Sequence, residues 1–342
     1  MAITIKDVAR LSGVSVTTVS RALNKRGYVS ENTMAKIYSA IQELNYSPNQ
    51  LARSLYNNQT KAIGLVVPSV AHPFFSQMTQ LIEQKLYTLG YHILLCTTDN
   101  SQDRESNILN ILRQHRMDGI IMASPSLPEQ EYKKLGIPIV AFDTLMESAD
   151  VSIEADHPLG GKLAAEMLID CGCKYAVQII GNPNEKTDAA LRHQKFMDIM
   201  IQSGRPCVSI PIIQKEMSPA FYDGIAEKVI HDYPDADAFF STDLFALALL
   251  SALLRKKKHI PDDVQIVGYD GTLITSLICP KLTTIRQPFE KLSDRIVDSM
   301  MQLLNGETVQ PRIVLRELEV VSGETTRSTT NENAMEKGSR PA

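Results

Sequence analysis

Residues 3–24 read ITIKDVARLSGVSVTTVSRALN. Thr4 stands where a helix N-cap would, and Asp7 follows at capping-box spacing. Ile5, Val8, Ala9 and Leu11 then trace a helical stripe. Gly13 suits a tight turn. Ser15 can cap a second helix with Val19, Ala22 and Leu23 on its apolar face. Two short helices joined by a glycine-containing turn form a helix-turn-helix pattern, although a plain αα-hairpin has the same spacing. In that motif the second helix lies in the major groove of DNA, with its N-terminal residues at base edges. Here these are Val16, Thr17 and Thr18, with Arg21 one turn later.

Two features favour DNA over a plain hairpin. Ser30 can cap a third helix, Glu31 to Leu44, with Ile37, Ala40, Ile41 and Leu44 on its apolar face. Three helices in this length suffice for a small DNA-binding domain, residues 1–46. Charge is the second. Residues 1–60 carry seven Lys/Arg and three Asp/Glu, and residues 61–342 carry 28 and 36. A basic head on an acidic body places the attraction for phosphate at one end.

Residues 47–60 look like a linker. In YSPNQLARSLYNNQT (46–60), Ser47 can cap a helix, and Pro48 suits its first position. Only Leu51, Ala52 and Leu55 are available to bury, too few to hold a short helix alone. The segment is either a helix that forms when something covers it or a simple polar linker. From Lys61 onward apolar runs alternate with helical patterns. AIGLVV, YHILLCT, GIIMA, PIVAF, YAVQII, AFFS and VQIVGYD read as buried strands. Helical periodicity marks Phe74 to Leu89, the stretch to Arg116, and GKLAAEMLIDC, AALRHQKFMDIMIQ and LFALALLSALLRKK. This rhythm predicts parallel sheets with helices on both faces, over residues 61–326. Residues 327–342, polar and poor in hydrophobic side chains, read as a disordered tail.

Several function classes are disfavoured. The most apolar stretch, LFALALLSALL, is 11 residues and ends in RKKK, too short for a membrane span. Lys6, Asp7 and Arg10 interrupt the N-terminus, so no secretory signal is read and a cytoplasmic location is expected. Cys96, Cys171, Cys173, Cys207 and Cys279 contain no CxxC pair. Cys171-Gly-Cys173 lacks a second ligand pair at zinc spacing and reads as reduced thiols at a helix end and strand start. HPLGGK (157–162) faintly resembles a phosphate loop, but Asp156 and Leu163 stand where Gly and Ser/Thr are needed. The seven histidines contain no i, i+4 pair. No organised acid, base or nucleophile is visible, so no enzyme, cofactor or metal is expected.

DVARLSGVSVTTVSRALN (7–24), YSPNQLARSL (46–55), IGLVVP (63–68), GYDGT (268–272) and LTTIRQP (282–288) together resemble the LacI/GalR family of bacterial repressors. The resemblance spans residues 3 to about 326. GYDGT, LTTIRQP and the closing SGET (322–325) are most similar to its sucrose-operon branch. It implies a helix-turn-helix head and a two-lobed core like that of periplasmic binding proteins, with chain crossings near Pro158, Gln287 and Leu318. It implies a homodimer on double-stranded operator DNA, with the apolar run Leu273 to Cys279 at the dimer interface rather than buried in its own lobe. The tail has no leucine heptad to build a tetramer. DNA contacts would come from Thr4, Ser15, Val16, Thr17, Thr18, Arg21, Asn24 and Ser30. The linker would be a hinge helix from Asn49, with Leu55 wedged in the minor groove beside Ala52.

A small sugar or sugar phosphate would bind at strand ends facing the cleft. Phe74 and Phe75 follow the first core strand, Asp143 and Thr144 follow PIVAF, and Arg192 lies early in a helix. Thr242 follows AFFS, and Asp270 follows VQIVGY. Arg and Asp suit paired hydroxyls, and Phe suits the C–H face of a sugar ring. The family match favours Arg192 and Asp270 most. On the residues alone, Arg192 could be a surface charge and Asp270 a helix N-cap. The family often has Arg at the place of Thr144, Asn at Thr242 and Gly at Lys195, which leaves the sugar open. An alternative is a global carbon-control regulator that binds a phosphorylated carrier protein. A transport sugar-binding protein is disfavoured by the head and by the missing signal segment.

Overall fold

The computed structural model describes residues 3–23, 27–46, 59–123, 125–183, 188–213 and 218–327. The chain divides into two compact units, Met1–Thr60 and Lys61–Ala342.

The first unit holds α1 (Ile5–Ser12), α2 (Val16–Leu23) and α3 (Glu31–Glu43). The capping box forms as the spacing predicts. The Asp7 carboxylate accepts from the Thr4 N–H at 3.0 Å and from its hydroxyl at 2.7 Å. Gly13 ends α1 in the left-handed region, φ 68°. Ser15 Oγ accepts from the Thr18 N–H at 3.1 Å, and Ser30 Oγ accepts from that of Thr33 at 3.4 Å. Val8, Ala9, Val19, Ala22, Ile37 and Ala40 form one buried cluster. One position of the expected stripe differs. Leu11 is exposed, and Ser12 is buried in its place, its hydroxyl donating to the Val8 carbonyl at 2.6 Å. The side chain that satisfies its own polarity through the preceding turn is the one that goes inside.

The second unit runs β1 (Ala62–Val67), α4 (Pro73–Thr88), β2 (His92–Thr97), α5 (Gln102–Gln114), β3 (Gly119–Ala123), α6 (Glu129–Lys133), β4 (Ile139–Phe142) and β5 (Val151–Ala155). It continues with α7 (His157–Asp170), β6 (Ala176–Ile180), α8 (Ala190–Gln202), β7 (Cys207–Pro211), α9 (Pro219–Asp232), β8 (Ala238–Phe240) and α10 (Asp243–Arg255). Last come β9 (Gln265–Asp270), β10 (Thr283–Arg286), α11 (Phe289–Leu304), β11 (Arg312–Leu315) and β12 (Glu319–Val321). Two six-stranded sheets result, ordered β11-β5-β4-β3-β1-β2 and β12-β10-β9-β8-β6-β7. The first is parallel throughout, and in the second only the β10–β12 pair is antiparallel. Each sheet is covered on both faces, which is why its strands read as continuous apolar runs. In the first lobe Met78, Ile82 and Leu86 pack with Ile296 and Met300 on one side, and Leu109, Leu112 and Tyr132 cover the other. In the second, Val229, Leu249 and Leu253 lie on one face, and Leu168, Phe196 and Met200 on the other.

The chain passes between the sheets after β5, after β10 and between β11 and β12, near the three expected positions. Among the described residues no helix is long and apolar enough to cross a membrane. Cys171 follows the last turn of α7 and Cys173 precedes β6, and neither is in a disulfide. Within Leu273 to Cys279, Leu273 is 69% exposed and Leu277 is 73% exposed, whereas Thr275 is buried and Ile278 packs on the second-lobe core.

HPLGGK is a packing motif. A Cβ on Gly161 would fall 2.0 Å from the Arg192 carbonyl oxygen, and one on Gly160 would fall 2.5 Å from the Tyr269 ring. Both glycines therefore set how closely α7 approaches α8 and β9. Gly224, inside α9, has open space around it. Gly161→Ala should lower unfolding stability by about 1–3 kcal/mol through overpacking. Gly224→Ala should be neutral or add up to about 1 kcal/mol. Urea denaturation of the two variants checks this, and a Gly161→Ala protein as stable as the parent would contradict the packing argument.

Candidate functional site

Two sets of residues stand out, one in each unit. In the head, the polar face of α2 points away from Val19 and Ala22. Ser15, Val16, Thr17 and Arg21 are exposed on it, and Thr18 is half-buried. Val16 is 40% exposed at the first turn, an apolar surface beside hydroxyls and a cation. Ser15 Oγ lies 2.9 Å from Thr18 Oγ1, so the capping bond also orders the first turn. Thr4 and Ser30 are caps of α1 and α3. Helix N-termini of this kind present N–H groups and a positive dipole end suited to phosphate. Asn24, Asn49, Ala52 and Leu55, with the hinge reading for the linker, lie outside the described residues.

In the core, buried polar groups from both lobes meet where the strands end. β4 runs into Asp143, held at φ 55°, and β9 ends at Asp270, at φ 115°. Gly271 follows at φ 68°, where a Cβ would fall 2.5 Å from Arg286 Cα. This tight turn sets the Asp270 carboxylate beside the crossing segment. Gln287 Nε2 donates to Asp270 Oδ1 at 2.9 Å, and the Gln287 N–H donates to the Asp270 carbonyl at 3.0 Å. Asp270 therefore ends a strand and caps no helix. Arg192 is only 8% exposed, so it is no surface charge. Its guanidinium lies over the Tyr269 ring, 4.3 Å from the centroid, a cation–π contact.

His157, from α7, spans the lobes. Its Nδ1 is 3.1 Å from the Tyr269 hydroxyl, and its Nε2 is 3.2 Å from Asp143 Oδ1 without hydrogen-bond alignment. His72, at the start of α4, stands by Phe75, with ring centroids 5.6 Å apart. His72 Nδ1, Asp143 Oδ1, His157 Nε2 and Gln287 Oε1 are sealed from solvent with no hydrogen bond from the protein. Sealed polar atoms of this kind suit a ligand rich in hydroxyls, each of which both donates and accepts.

Burial dominates the electrostatics. It pushes the Asp270 carboxyl well above the usual range, helped by the Asp243 charge and opposed by Arg192 and the Gln287 hydrogen bond. It lowers His72 to about 4, against the pull of Asp143 and together with Arg192. Asp243 is raised to about 6 by burial, although it accepts from the Thr272 N–H, the Thr272 hydroxyl and the Thr284 hydroxyl. That makes Asp243 an anchor for the turn after β9.

The structure brings together Arg192, Asp270 and Asp143 from the expected set. Phe75 is half-buried beside His72 and Phe142. Phe74 departs from the expectation. It is 2% exposed and packs on Phe289 in the first-lobe core, because the ring one residue on takes the outward face of α4. Thr144 is buried directly after Asp143, and Thr242 is a half-buried cap position of α10 whose side chain makes no cap bond. Residue types alone did not mark His157, Tyr269 and Gln287. HPLGGK, GYDGT and LTTIRQP contain them, so each motif carried the signal without the role.

Comparison with known proteins is consistent along the chain. Residues 4–49 match the model for bacterial regulatory proteins of the lacI family, and residues 152–326 match that for the periplasmic binding protein-like domain. The sucrose operon repressor of Streptococcus mutans serotype c is 34% identical, over 94% of this chain and 98% of its own length. The ribose operon repressor of Halalkalibacterium halodurans is 36% identical, over 84% and 86%. The solved lac repressor dimer bound to operator and the anti-inducer ONPF superposes with a TM-score of 0.83 at 26% identity, covering 96% of this chain and 100% of that one.

The His72 shift has a sign that can be measured. The unfolded imidazole protonates near 6.5, and the folded one resists until about 4. Stability is thus unaffected above 6.5 and is lost as pH falls from 6.5 through 4. At about 1.4 kcal/mol per pH unit, the loss attributable to His72 is at most about 3 kcal/mol. His72→Gln should shrink the stability difference between pH 7 and pH 4 by up to that amount. Equal pH slopes for the two proteins would rule it out.

Proposed function

The chain belongs to the LacI family of bacterial regulatory proteins, and from this membership we propose that it is a sequence-specific DNA-binding repressor of carbohydrate-utilisation genes, controlled by a small sugar or sugar phosphate held between its two lobes. The observation that carries the reading is the Arg192, Asp270, Asp143 and His157 cluster, assembled from both lobes in a chain whose first residues form a three-helix head. A ligand bound there touches both lobes at once and so sets the angle between them. Arg and carboxylate side chains pair with neighbouring hydroxyls, and Phe75 offers an aromatic face.

On the DNA side, α2 enters the major groove, Thr17 and Arg21 read base edges, and Val16 meets a thymine methyl. Leu55 serves as the minor-groove wedge of the linker. The protein works as a homodimer, because one head reaches one half-site and a two-fold operator matches a two-fold protein. Exposed Leu273 and Leu277 supply apolar surface for that contact. The regulator is cytoplasmic and non-catalytic, and the sugar acts as inducer. Coupling between sugar and operator is reciprocal and typically worth about 1–3 kcal/mol.

Gel-shift and fluorescence titration on operator and random DNA, with and without sugars, test the reading. Arg21→Ala should lose about 1–3 kcal/mol of discrimination between operator and random DNA. Unchanged preference would remove Arg21 from the reading face. Arg192→Ala should still bind operator and should lose the sugar response. A response at the parent's sugar concentration would refute the cleft assignment.

A further inference from the structure

His193 follows Arg192 on α8 and is buried, 6% exposed. Its ring packs on Phe240, with centroids 5.4 Å apart. Its hydrogen bonds fix its proton. Gln178, on β6, places Nε2 at 3.0 Å from the His193 carbonyl oxygen and 2.8 Å from Ser209 Oγ. A carbonyl oxygen only accepts, so that Gln178 atom is the donating amide nitrogen, and Oε1 is the acceptor. Oε1 lies 2.9 Å from His193 Nδ1, which must therefore carry the hydrogen. Burial, reinforced by the Arg192 and His157 charges, holds His193 well below the usual imidazole range, so the ring is neutral. Its Nε2 is then a bare lone pair, and it accepts from Arg192 Nε at 3.4 Å.

We propose that His193 is a positioning residue for effector binding: Gln178 sets its tautomer, and its bare Nε2 holds the Arg192 Nε–H so that the guanidinium is kept over the Tyr269 ring in one orientation for the ligand. This rests on Arg192 binding the effector, as argued above. An arginine on a helix has many rotamers, and fixing one before binding lowers the ordering cost when ligand arrives. The Nε–H is held by His193, and a two-pronged contact made through the terminal nitrogens does not need it.

A buried histidine that merely fills the core would give the same burial. Two substitutions separate the cases. In His193→Gln the side-chain amide reaches the place of Nε2 and can still accept from Arg192. In His193→Asn it reaches only the place of Nδ1, keeping the bond to Gln178 and losing the one to Arg192. Full-length parent and both variants are titrated with sucrose, D-fructose and D-ribose by calorimetry. Operator affinity without sugar and the unfolding midpoint are measured alongside. For a sugar that the parent binds, His193→Asn should weaken affinity by about tenfold or more, the scale of a lost hydrogen bond to a charged group. Its sugar-free operator affinity should match the parent. His193→Gln should recover most of the lost sugar affinity. Parental sugar affinity in His193→Asn would overturn the proposal, as would equal losses in both variants that follow the unfolding midpoint.

A second readout needs no sugar. In 15N-arginine-labelled protein the Arg192 Nε–H, assigned by its disappearance in Arg192→Lys, should exchange slowly in the parent and in His193→Gln. It should exchange fast in His193→Asn. If the parent binds none of the three sugars, the choice of sugar class fails, and this exchange still decides the positioning role. Equal exchange in all three proteins would refute it.

Discussion

The second unit is held together by three chain crossings between two sheets, after β5, after β10 and between β11 and β12. A pair of lobes tied three times at one side can change its opening angle but cannot slide apart. The crossings are also part of the binding chemistry. Gln287, in one of them, is bonded twice to Asp270. Around them Arg286 pairs with Glu319 and Lys291 with Glu317, both exposed, and an exposed Arg316 pairs with a half-buried Asp156. Exposed pairs of this kind stabilise by about 0–1 kcal/mol each. The joint is therefore soft, while the groups that a ligand would touch are stiffly mounted.

Stiffness at the cleft comes from burial and from the absence of side chains at chosen points. Gly161 lets α7 approach the backbone of α8 at Arg192, and Gly160 makes room for the Tyr269 ring. The arginine, the ring beneath it and the histidine beyond it are fixed by helices that meet more closely than any side chain would allow. Charges held in such a place are displaced from their ordinary protonation, Asp270 upward and His72 downward, both chiefly by desolvation. A ligand acts on the opening angle only through contacts that differ between open and closed lobes. Groups drawn from both lobes and cut off from water provide that difference.

The architecture was legible in the sequence because apolar runs and caps report local physics. Thr4, Asp7, Ser15 and Ser30 act as their spacing predicts. β5, VSIEA, was hidden by Ser152 and Glu154, polar residues in a fully buried strand. Arg312 on the neighbouring strand donates to Glu154 Oε1 at 2.7 Å, and burial, with Asp188 nearby, raises that carboxyl to about 7. β7 was hidden because it is a half-buried edge strand. The site was partly legible. Arg192 and Asp270 came from family resemblance, since an arginine on a helix and an aspartate after a strand have ordinary structural uses. Phe74 and Phe75 could not be ranked by type, because which ring turns inward depends on the phase of α4 against Phe289. His193 could not be ranked either, since its role depends on Gln178, fifteen positions away on another element.

Both sheets take their last strand from the end of the chain. β11 (Arg312–Leu315) completes the first, and β12 (Glu319–Val321) completes the second, where Thr325 donates to the Ile266 carbonyl at 2.7 Å. α11, which fills the core of the first lobe, also comes after every strand of the second except β12. During synthesis, which proceeds from the N-terminus at roughly 5–20 residues per second, neither lobe can complete its sheet until its strand within residues 312–321 has left the ribosome. The head needs only residues near its own beginning. A nascent chain would thus acquire its nucleic-acid-facing part well before the part that senses anything, and a message truncated late in the reading frame would yield a head without a governor.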